Sequence, residues 1–123
     1  MEVVGALLQQ GTNIVHNYCH NGSNQEFAVT YDGNEMILRA QHSQQVLSAK
    51  NGSVENNIPL SQSPYNNQSH QRFKLKQRPE GRFQIINAKS NKCATITNPN
   101  KNSVSIVLVI KLSLTYSYYI GKL

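Results

Sequence analysis

An internal repeat with a period close to 46 residues constrains the fold of this chain more than any other feature. Residues 71–96 have a weaker copy upstream in residues 25–49. Gln25 and Phe27 match Gln71 and Phe73, which lie 46 positions further on. The later matches join Ile37-Leu38 to Ile85-Ile86, Ala40 to Ala88 and, after a one-residue slip, residues 43–46 to 90–93. A repeat of this length predicts a stacked or symmetric array of one supersecondary unit.

Composition favours strands and turns over helices. The chain has 123 residues, enough for one domain and too few for two. It contains fifteen Asn and no Trp, and Asn is a residue typical of turns. No segment has the periodicity of a long amphipathic helix, and short apolar runs lie between clusters of Asn, Gly, Ser and Pro. These features predict an all-β domain.

The repeated motif resembles a known family. Gln-x-Phe, a hairpin and then Asn-x-x-Ser-x-Lys-Cys are similar to the ricin-type β-trefoil lectin repeat, where the first motif is Gln-x-Trp. The resemblance implies a β-trefoil of ricin B lectin type over residues 1–110, incomplete at the first repeat because its opening strand is absent. It implies one complete repeat at 29–75 and the start of a third at 76–110. A third Gln-x-aromatic is due near residue 117, where there is no Gln, so residues 111–123 are expected to form a divergent tail.

The same resemblance implies a carbohydrate-binding function and gives candidate site residues. In this family, each pocket uses an Asp that accepts hydrogen bonds from two sugar hydroxyls, an aromatic ring that stacks on the sugar, and an Asn before Gln-x-Trp. The first unit offers Glu2 for the acid, Tyr18 beside the aromatic position and Asn24 for the amide. We expect this unit to be the least altered, with weak binding of a galactose-like or other glycan.

The other two units depart further from the family pattern. The second unit has Ser48 at the acid position, Ser63 at the aromatic position with Tyr65 two residues later, and His70 at the amide position. The third unit has Thr95 for the acid and Ile110 for the aromatic. Two alternatives stay open: Tyr65 beside Pro64 as turn packing, and Glu2 as a frayed acid at the terminus.

Four repeated residues are predicted to be structural. The Phe rings are expected to fill the core, together with Ile37 and Ile85 near a pseudo-threefold axis, and the Gln amides to satisfy buried backbone groups. These repeat core residues are Gln25, Phe27, Gln71 and Phe73.

Positive charge is concentrated in one stretch. The formal net charge is +6, and seven of the twelve Lys and Arg residues lie in residues 72–92. One hypothesis is a solvated face, and the other is a site for a polyanion such as a sulfated glycan or nucleic acid. The candidates for polyanion binding are Arg72, Lys74, Lys76 and Arg78, with Arg82, Lys89 and Lys92 in the same run.

Other function classes have little support in the sequence. The four His are dispersed, no Cys/His set has zinc spacing, and no phosphate-binding or nucleophile motif is present, so we expect no enzyme, metal or cofactor. Residues 104–114 are apolar but too short for a membrane span, and no signal peptide is evident. In the family that the repeat resembles, a disulfide often links the two halves of one repeat; Cys19 and Cys93 each lack the partner position, so both are expected to be free thiols. Three hypotheses therefore compete: a lectin module, a polyanion-binding trefoil and a degenerate scaffold without a ligand.

Overall fold

The computed structural model describes residues 1–96, 104–109 and 119–120, and within them the chain consists of strands and short 3-10 turns. The all-β prediction is confirmed, and no helix in these residues is long and apolar enough to cross a membrane. The strands are β1 (Glu2–Val3), β2 (Ile14–His16), β3 (Phe27–Asp32), β4 (Glu35–Ala40), β5 (Val46–Ala49), β6 (Ile58–Ser63), β7 (Phe73–Arg78), β8 (Arg82–Asn87), β9 (Cys93–Ile96), β10 (Val104–Val109) and β11 (Tyr119–Ile120). The 3-10 turns are Val4–Ala6, Ser23–Gln25, Lys50–Gly52, Ser69–Gln71 and Pro79–Gly81.

One antiparallel strand pair occurs three times, as β1–β2, β5–β6 and β9–β10. The directly paired residues are Val3 with Ile14, Ala49 with Leu60, and Ile96 with Ile106. Strand β10 also pairs with both β2 and β6. The three units are therefore joined through one network of strands, and their apolar side chains share one core.

The turns use residues that tolerate a left-handed backbone. Gly33 has φ +66° in the hairpin between β3 and β4. Gly5 at φ +61° and Asn51 at φ +56° end β1 and β5 in matching 3-10 turns. Gly and Asn adopt this conformation at lower steric cost than other residues, which explains why a chain so rich in Asn forms many short strands.

The hairpins β3–β4 and β7–β8 correct the predicted alignment of the two copies. Val29 pairs with Leu38, and Leu75 pairs with Ile85. Since Val29 and Leu75 hold the same position in their strands, Ile85 corresponds to Leu38 and not to Ile37.

The turn lengths explain this shift. Phe27 pairs with Ala40, and Phe73 pairs with Asn87, so Ala40 corresponds to Asn87 and not to Ala88. Three residues separate β7 from β8, whereas two separate β3 from β4. The one-residue slip therefore occurs in the hairpin turn and not after the second strand.

The core confirms three of the four predicted apolar residues as buried and corrects the fourth. Phe73 and Ile85 are buried in the central cluster; Ile37 is buried but lies outside that cluster, because alternate residues of a strand face opposite ways. Phe27 is only partly buried; among the described strands β3 pairs with β4 alone, whereas β7 pairs with both β4 and β8. The cluster comprises Val3, Ile14, Met36, Leu38, Ala40, Leu47, Ala49, Leu60, Phe73, Ile85, Ala94, Ile106 and Leu108.

A strand near the C-terminus takes the place that the third Gln-x-aromatic was expected to fill. Ile120 of β11 pairs with Phe83, as Phe73 of β7 pairs with Met36. Apart from Tyr119–Ile120, the predicted tail at 111–123 lies outside the described residues, as does Ile110. The domain boundary at residue 110 stays a prediction.

Candidate functional site

Three residues hold the acid position of the three units. Glu2 pairs with Val15, Ser48 with Ser61, and Thr95 with Val107, always one residue from the repeated pair described above. All three acid-position side chains are buried. The equivalence predicted from the sequence alignment thus holds at this position, and one of the three side chains is a carboxylate.

The carboxylate of Glu2 is closed in by its own unit. Its Oε1 accepts hydrogen bonds from His20 Nε2 at 2.6 Å and Gln25 Nε2 at 2.9 Å, and its Oε2 accepts one from Asn17 Nδ2 at 3.1 Å. Only 5% of Glu2 is exposed, so it is not a frayed terminal acid. Burial raises the pKa of the carboxyl, but the hydrogen bonds from Asn17, His20 and Gln25 outweigh it and hold that pKa below its usual value.

Tyr18 and Asn24 differ in exposure and do not share hydrogen-bond partners in the described contacts. The Asn24 side chain is buried, and its Nδ2 donates to the carbonyl oxygen of Val3 at 2.9 Å. Tyr18 is 67% exposed, and its backbone carbonyl accepts a hydrogen bond from Gln25 Nε2. None of Glu2, Tyr18 and Asn24 lines either of the two cavities described below.

The second unit has an open cavity at the corresponding place, with a volume of about 360 Å³. Ser48, Ser63 and His70, which hold the acid, aromatic and amide positions of this unit, all line it. The complete lining is Gln10, Gly11, Ser48, Ala49, Lys50, Asn51, Gly52, Ser61, Gln62, Ser63, Pro64, Asn66 and His70.

A chain of hydrogen bonds runs along the floor of this cavity. Gln71 Nε2 donates to Ser63 Oγ at 2.8 Å, the Ser63 and Ser48 hydroxyls lie 2.6 Å apart, and Ser48 Oγ donates to Val46 O at 3.3 Å. In this order each hydroxyl accepts one hydrogen bond and donates the next. Ser48 therefore has little remaining capacity to accept hydrogen bonds from a ligand.

Gln71 and Gln25 make equivalent hydrogen bonds to backbone groups of the preceding loop. The carbonyl oxygen of each amide accepts the backbone N–H five residues earlier, from Asn66 and His20 respectively. The Nε2 of each donates to the backbone carbonyl seven residues earlier. Gln71 is fully buried, and these bonds shape the loop that forms one wall of the cavity.

Lys50 and His70 are the ionisable side chains of the cavity lining. Lys50 Nζ donates to Asn13 Oδ1 at 2.9 Å. His70 is 9% exposed, and its ring lies beside Gly52. Burial lowers the pKa of His70, and the charge of Lys89 lowers it further, so the imidazole is neutral near pH 7.

Tyr65 lies outside this lining. Its hydroxyl donates to Asn67 Oδ1 at 2.8 Å and accepts from Arg72 Nη2 at 3.1 Å. The guanidinium carbon of Arg39 lies 5.9 Å from the ring centroid, within the range of a cation–π contact. These contacts are typical of turn packing.

A smaller cavity of about 300 Å³ adjoins the first and shares Gln10, Gly11 and Lys50 with it. Beside it, the carbonyls of residues 7–9 accept hydrogen bonds from Gln62, His42 and Gln45 of the second unit. The first unit's loop is thus fastened to the second unit and supplies part of the wall of the larger cavity.

The side chains of the basic run differ in their surroundings. Lys74, Lys76 and Arg82 are exposed along β7–β8. Arg72 Nη1 pairs with Asp32 Oδ2 at 2.7 Å, and Arg78 Nε donates to Gln84 Oε1 at 2.5 Å. The ammonium groups of Lys89 and Lys92 donate to the backbone carbonyls of Gly52 and Val54 respectively.

Sequence reasoning gave Asn17 only as the residue at the aromatic position of the first unit, and missed the other residues that close one site and complete the other. Asn17 and His20 cover Glu2, and Lys50 and Asn66 line the open cavity. Lys50 lies two positions after Ser48, and His20 and Asn66 each lie five before the repeated Gln, so the spacing within the repeat could have identified them.

Cys19 is an exposed thiol and Cys93 a buried one that accepts a hydrogen bond from Gln84 Nε2. Within the described residues, no group of three or more His, Cys, Asp or Glu side chains is placed to hold a metal ion.

The repeated pairs and the shared core define a β-trefoil domain of lectin-like class. The chain belongs to the ricin-type beta-trefoil lectin domain-like family, whose sequence model matches residues 23–109. A search among curated proteins found no match.

Solved structures share the fold at low sequence identity. The designed three-fold symmetric protein ThreeFoil matches with a TM-score of 0.90 and 18% identity, over 96% of this chain and 86% of that one. The Macrolepiota procera ricin B-like lectin in complex with lactose matches with a TM-score of 0.75 and 16% identity, over 90% and 80%. The exo-β-1,3-galactanase 1,3Gal43A of Clostridium thermocellum matches at 0.88 and 17% identity over 96% of this chain, which spans only 26% of that protein.

Proposed function

We propose that this protein is a carbohydrate-binding module, and that its ligand occupies the open cavity of the second unit. One observation carries the proposal: Ser48, Ser63 and His70, which align with the three sugar-binding positions of the family, line a single cavity. Membership of a lectin-like family supports the same function. The proposal requires binding alone and no catalytic step.

We propose that binding is weak. Ser48 replaces the carboxylate that accepts two sugar hydroxyls, and Ser63 replaces the stacking ring. A dissociation constant near or above 1 mM, about −4 kcal/mol, is the expected range. A single working site also gains nothing from multivalency.

The first-unit residues Glu2, Tyr18 and Asn24, with Tyr65, remain an alternative site. Binding through Glu2 would have to displace hydrogen bonds from His20, Gln25 and Asn17. Exposed Tyr18 would then supply most of the contact area. The experiment below separates the two locations.

The test is an NMR titration of labelled protein with galactose and N-acetylgalactosamine, up to roughly tens of millimolar given the expected affinity. Amide shifts should cluster at Ser48, Asn66 and His70. His70→Ala should weaken binding by about three- to tenfold, the effect of losing one hydrogen bond of ~1 kcal/mol. Thr30→Ala, an exposed change on β3 outside the cavity, is the matched control.

Two outcomes would contradict the proposed site. Binding that is lost in Tyr18→Ala but kept in His70→Ala would locate the sugar in the first unit. No binding by folded protein at the highest concentration would support the degenerate scaffold instead.

A second candidate, polyanion binding, is favoured by the exposure of Lys74, Lys76 and Arg82 along one hairpin. The engagement of Arg72 with Asp32 reduces its availability for this role. Retention on heparin should fall when Lys74 and Lys76 are both changed to Gln. The matched control, Lys101→Gln with Lys122→Gln, removes the same charge from outside residues 72–92 and should retain more binding. Equal retention by both variants would leave only non-specific attraction from net charge.

A further inference from the structure

We infer that the open cavity of the second unit selects an acidic saccharide, one bearing a carboxylate such as a uronic acid, over its neutral counterpart. The inference rests on the proposed carbohydrate-binding function and names the ligand class for the same site. Its starting point is the charge of the lining, where Lys50 and His70 are present and neither Asp nor Glu occurs among the thirteen lining residues.

The acid position of this unit, where the family has a carboxylate that accepts sugar hydroxyls, is occupied by the uncharged Ser48. Ser48 Oγ is 2.6 Å from Ser63 Oγ and donates to Val46 O, so one lone pair at most remains for a ligand. A carboxylate can accept several hydrogen bonds at once, whereas this hydroxyl cannot. The floor of the cavity therefore suits a ligand that brings its own acceptors.

Donors are available around the opening to meet such a group. Lys50 Nζ uses one of its three N–H groups on Asn13 Oδ1, which leaves two. His70 lines the cavity as a neutral imidazole. Asn51 and Asn66 are exposed at the rim and have side-chain amides that donate and accept. An ionic hydrogen bond from Lys to a carboxylate is about twice as strong as a neutral one.

The positive charges around the cavity also favour a negatively charged ligand. Lys89 lies near enough to lower the pKa of His70, and its ammonium group is held on the carbonyl of Gly52, which lines the cavity. Two fixed ammonium groups thus flank the site. The volume of about 360 Å³ is at the small end of ligand cavities, which fits one acidic sugar residue.

The decisive comparison uses three ligands that share the galactose ring and differ in the group at C6: galactose, galacturonate and the methyl ester of galacturonic acid. NMR titration should show galacturonate binding about five- to tenfold more tightly than the ester, the effect of one ionic hydrogen bond. Lys50→Gln should remove this preference, so that galacturonate and its ester bind with similar affinity. Lys76→Gln, an equal charge change on β7, should keep the preference.

The outcomes separate the inference from the function on which it rests. If galactose and the ester bind as tightly as galacturonate, the site is a carbohydrate site without acidic selectivity and the inference is overturned. If Lys76→Gln removes the preference as fully as Lys50→Gln, general surface charge and not the cavity is responsible. If no ligand binds to folded protein, the proposed function itself fails.

Discussion

His20 Nε2 lies 2.6 Å from Glu2 Oε1, and this contact closes the acid position of the first unit. Asn66 holds the equivalent place in the second unit, since each residue lies five positions before the Gln that accepts its backbone N–H. Asn66 is exposed, and the acid position next to it opens into a cavity. The same position of the repeat therefore contributes to closing the acid position in one unit and lines an open cavity in the next.

Replacing Glu2 with Ala should destabilise the fold by about 1–3 kcal/mol at neutral pH, because the half-buried donors on Asn17 and Gln25 and the exposed His20 lose the acceptor that they share. The folded pKa of Glu2 lies below its ordinary value of 4.5. Its charge therefore contributes stability that is complete above that value and is lost as the pH falls through the folded pKa. Urea unfolding of both proteins should show the difference shrinking below about pH 4.

The control for this prediction is Glu26→Ala, which removes an exposed carboxylate from the next turn. It should cost less than about 0.5 kcal/mol, as surface changes usually do. If the loss of unfolding free energy in Glu2→Ala is the same at neutral and acidic pH, the contacts of Glu2 do not depend on its negative charge, and the prediction is wrong.

Gln71→Ala should cost about 2–3 kcal/mol, because a fully buried amide loses partners on Asn66, Ser63 and Pro64. Gln25→Ala removes similar bonds from a half-buried amide and should cost less, since water can replace part of them. Chemical denaturation of both variants checks the order. A larger cost for Gln25→Ala would show that burial does not control these amides.

Phe73→Ala should cost about 3–5 kcal/mol, the range for deleting a buried aromatic ring. Phe27→Ala should cost clearly less, because Phe27 only packs against the edge of the central cluster. Thermal and urea unfolding measure both changes. Equal costs would mean that β3 is covered in solution by something other than β4.

Thiol reactivity should distinguish the two cysteines. Cys19 is exposed and should react at once with a thiol reagent in native protein, whereas Cys93 is 5% exposed and should react only on unfolding. A count of one thiol per native chain and two in denaturant is expected. No reactive thiol in unreduced, denatured protein would contradict the thiol assignment of both residues.

The fold could be predicted from the sequence because several repeated residues determine the local backbone conformation. Gly33 adopts a positive φ in a turn, and Gln25 and Gln71 bind backbone groups a few residues away, so their roles depend on neighbours in the sequence. The register of β8 was wrong by one residue, since Ile37-Leu38 and Ile85-Ile86 are alike in composition. Only the length of the hairpin turn decides between the two alignments.

The site was harder to predict because it depends on what covers a residue. Glu2 looks like a frayed acid from its position, yet side chains from residues 17–25 enclose it. Phe27 repeats Phe73 in sequence, but its strand has one neighbour instead of two within the part of the chain that the structure describes. The repeat motif predicts neither the burial of Glu2 nor the partial exposure of Phe27, because both depend on residues that are neighbours only in the folded structure.

The pairing of β10 with β2 has a consequence for how quickly the chain reaches its native state. Val15 and Ser105 are direct partners although 90 positions separate them in the sequence (105 − 15). Closing so long a loop costs entropy before any contact rewards it, and folds dominated by such pairings form in ~milliseconds to seconds. Refolding is therefore expected to be slow for a chain of this size, with the β10–β2 seam among the last contacts to form.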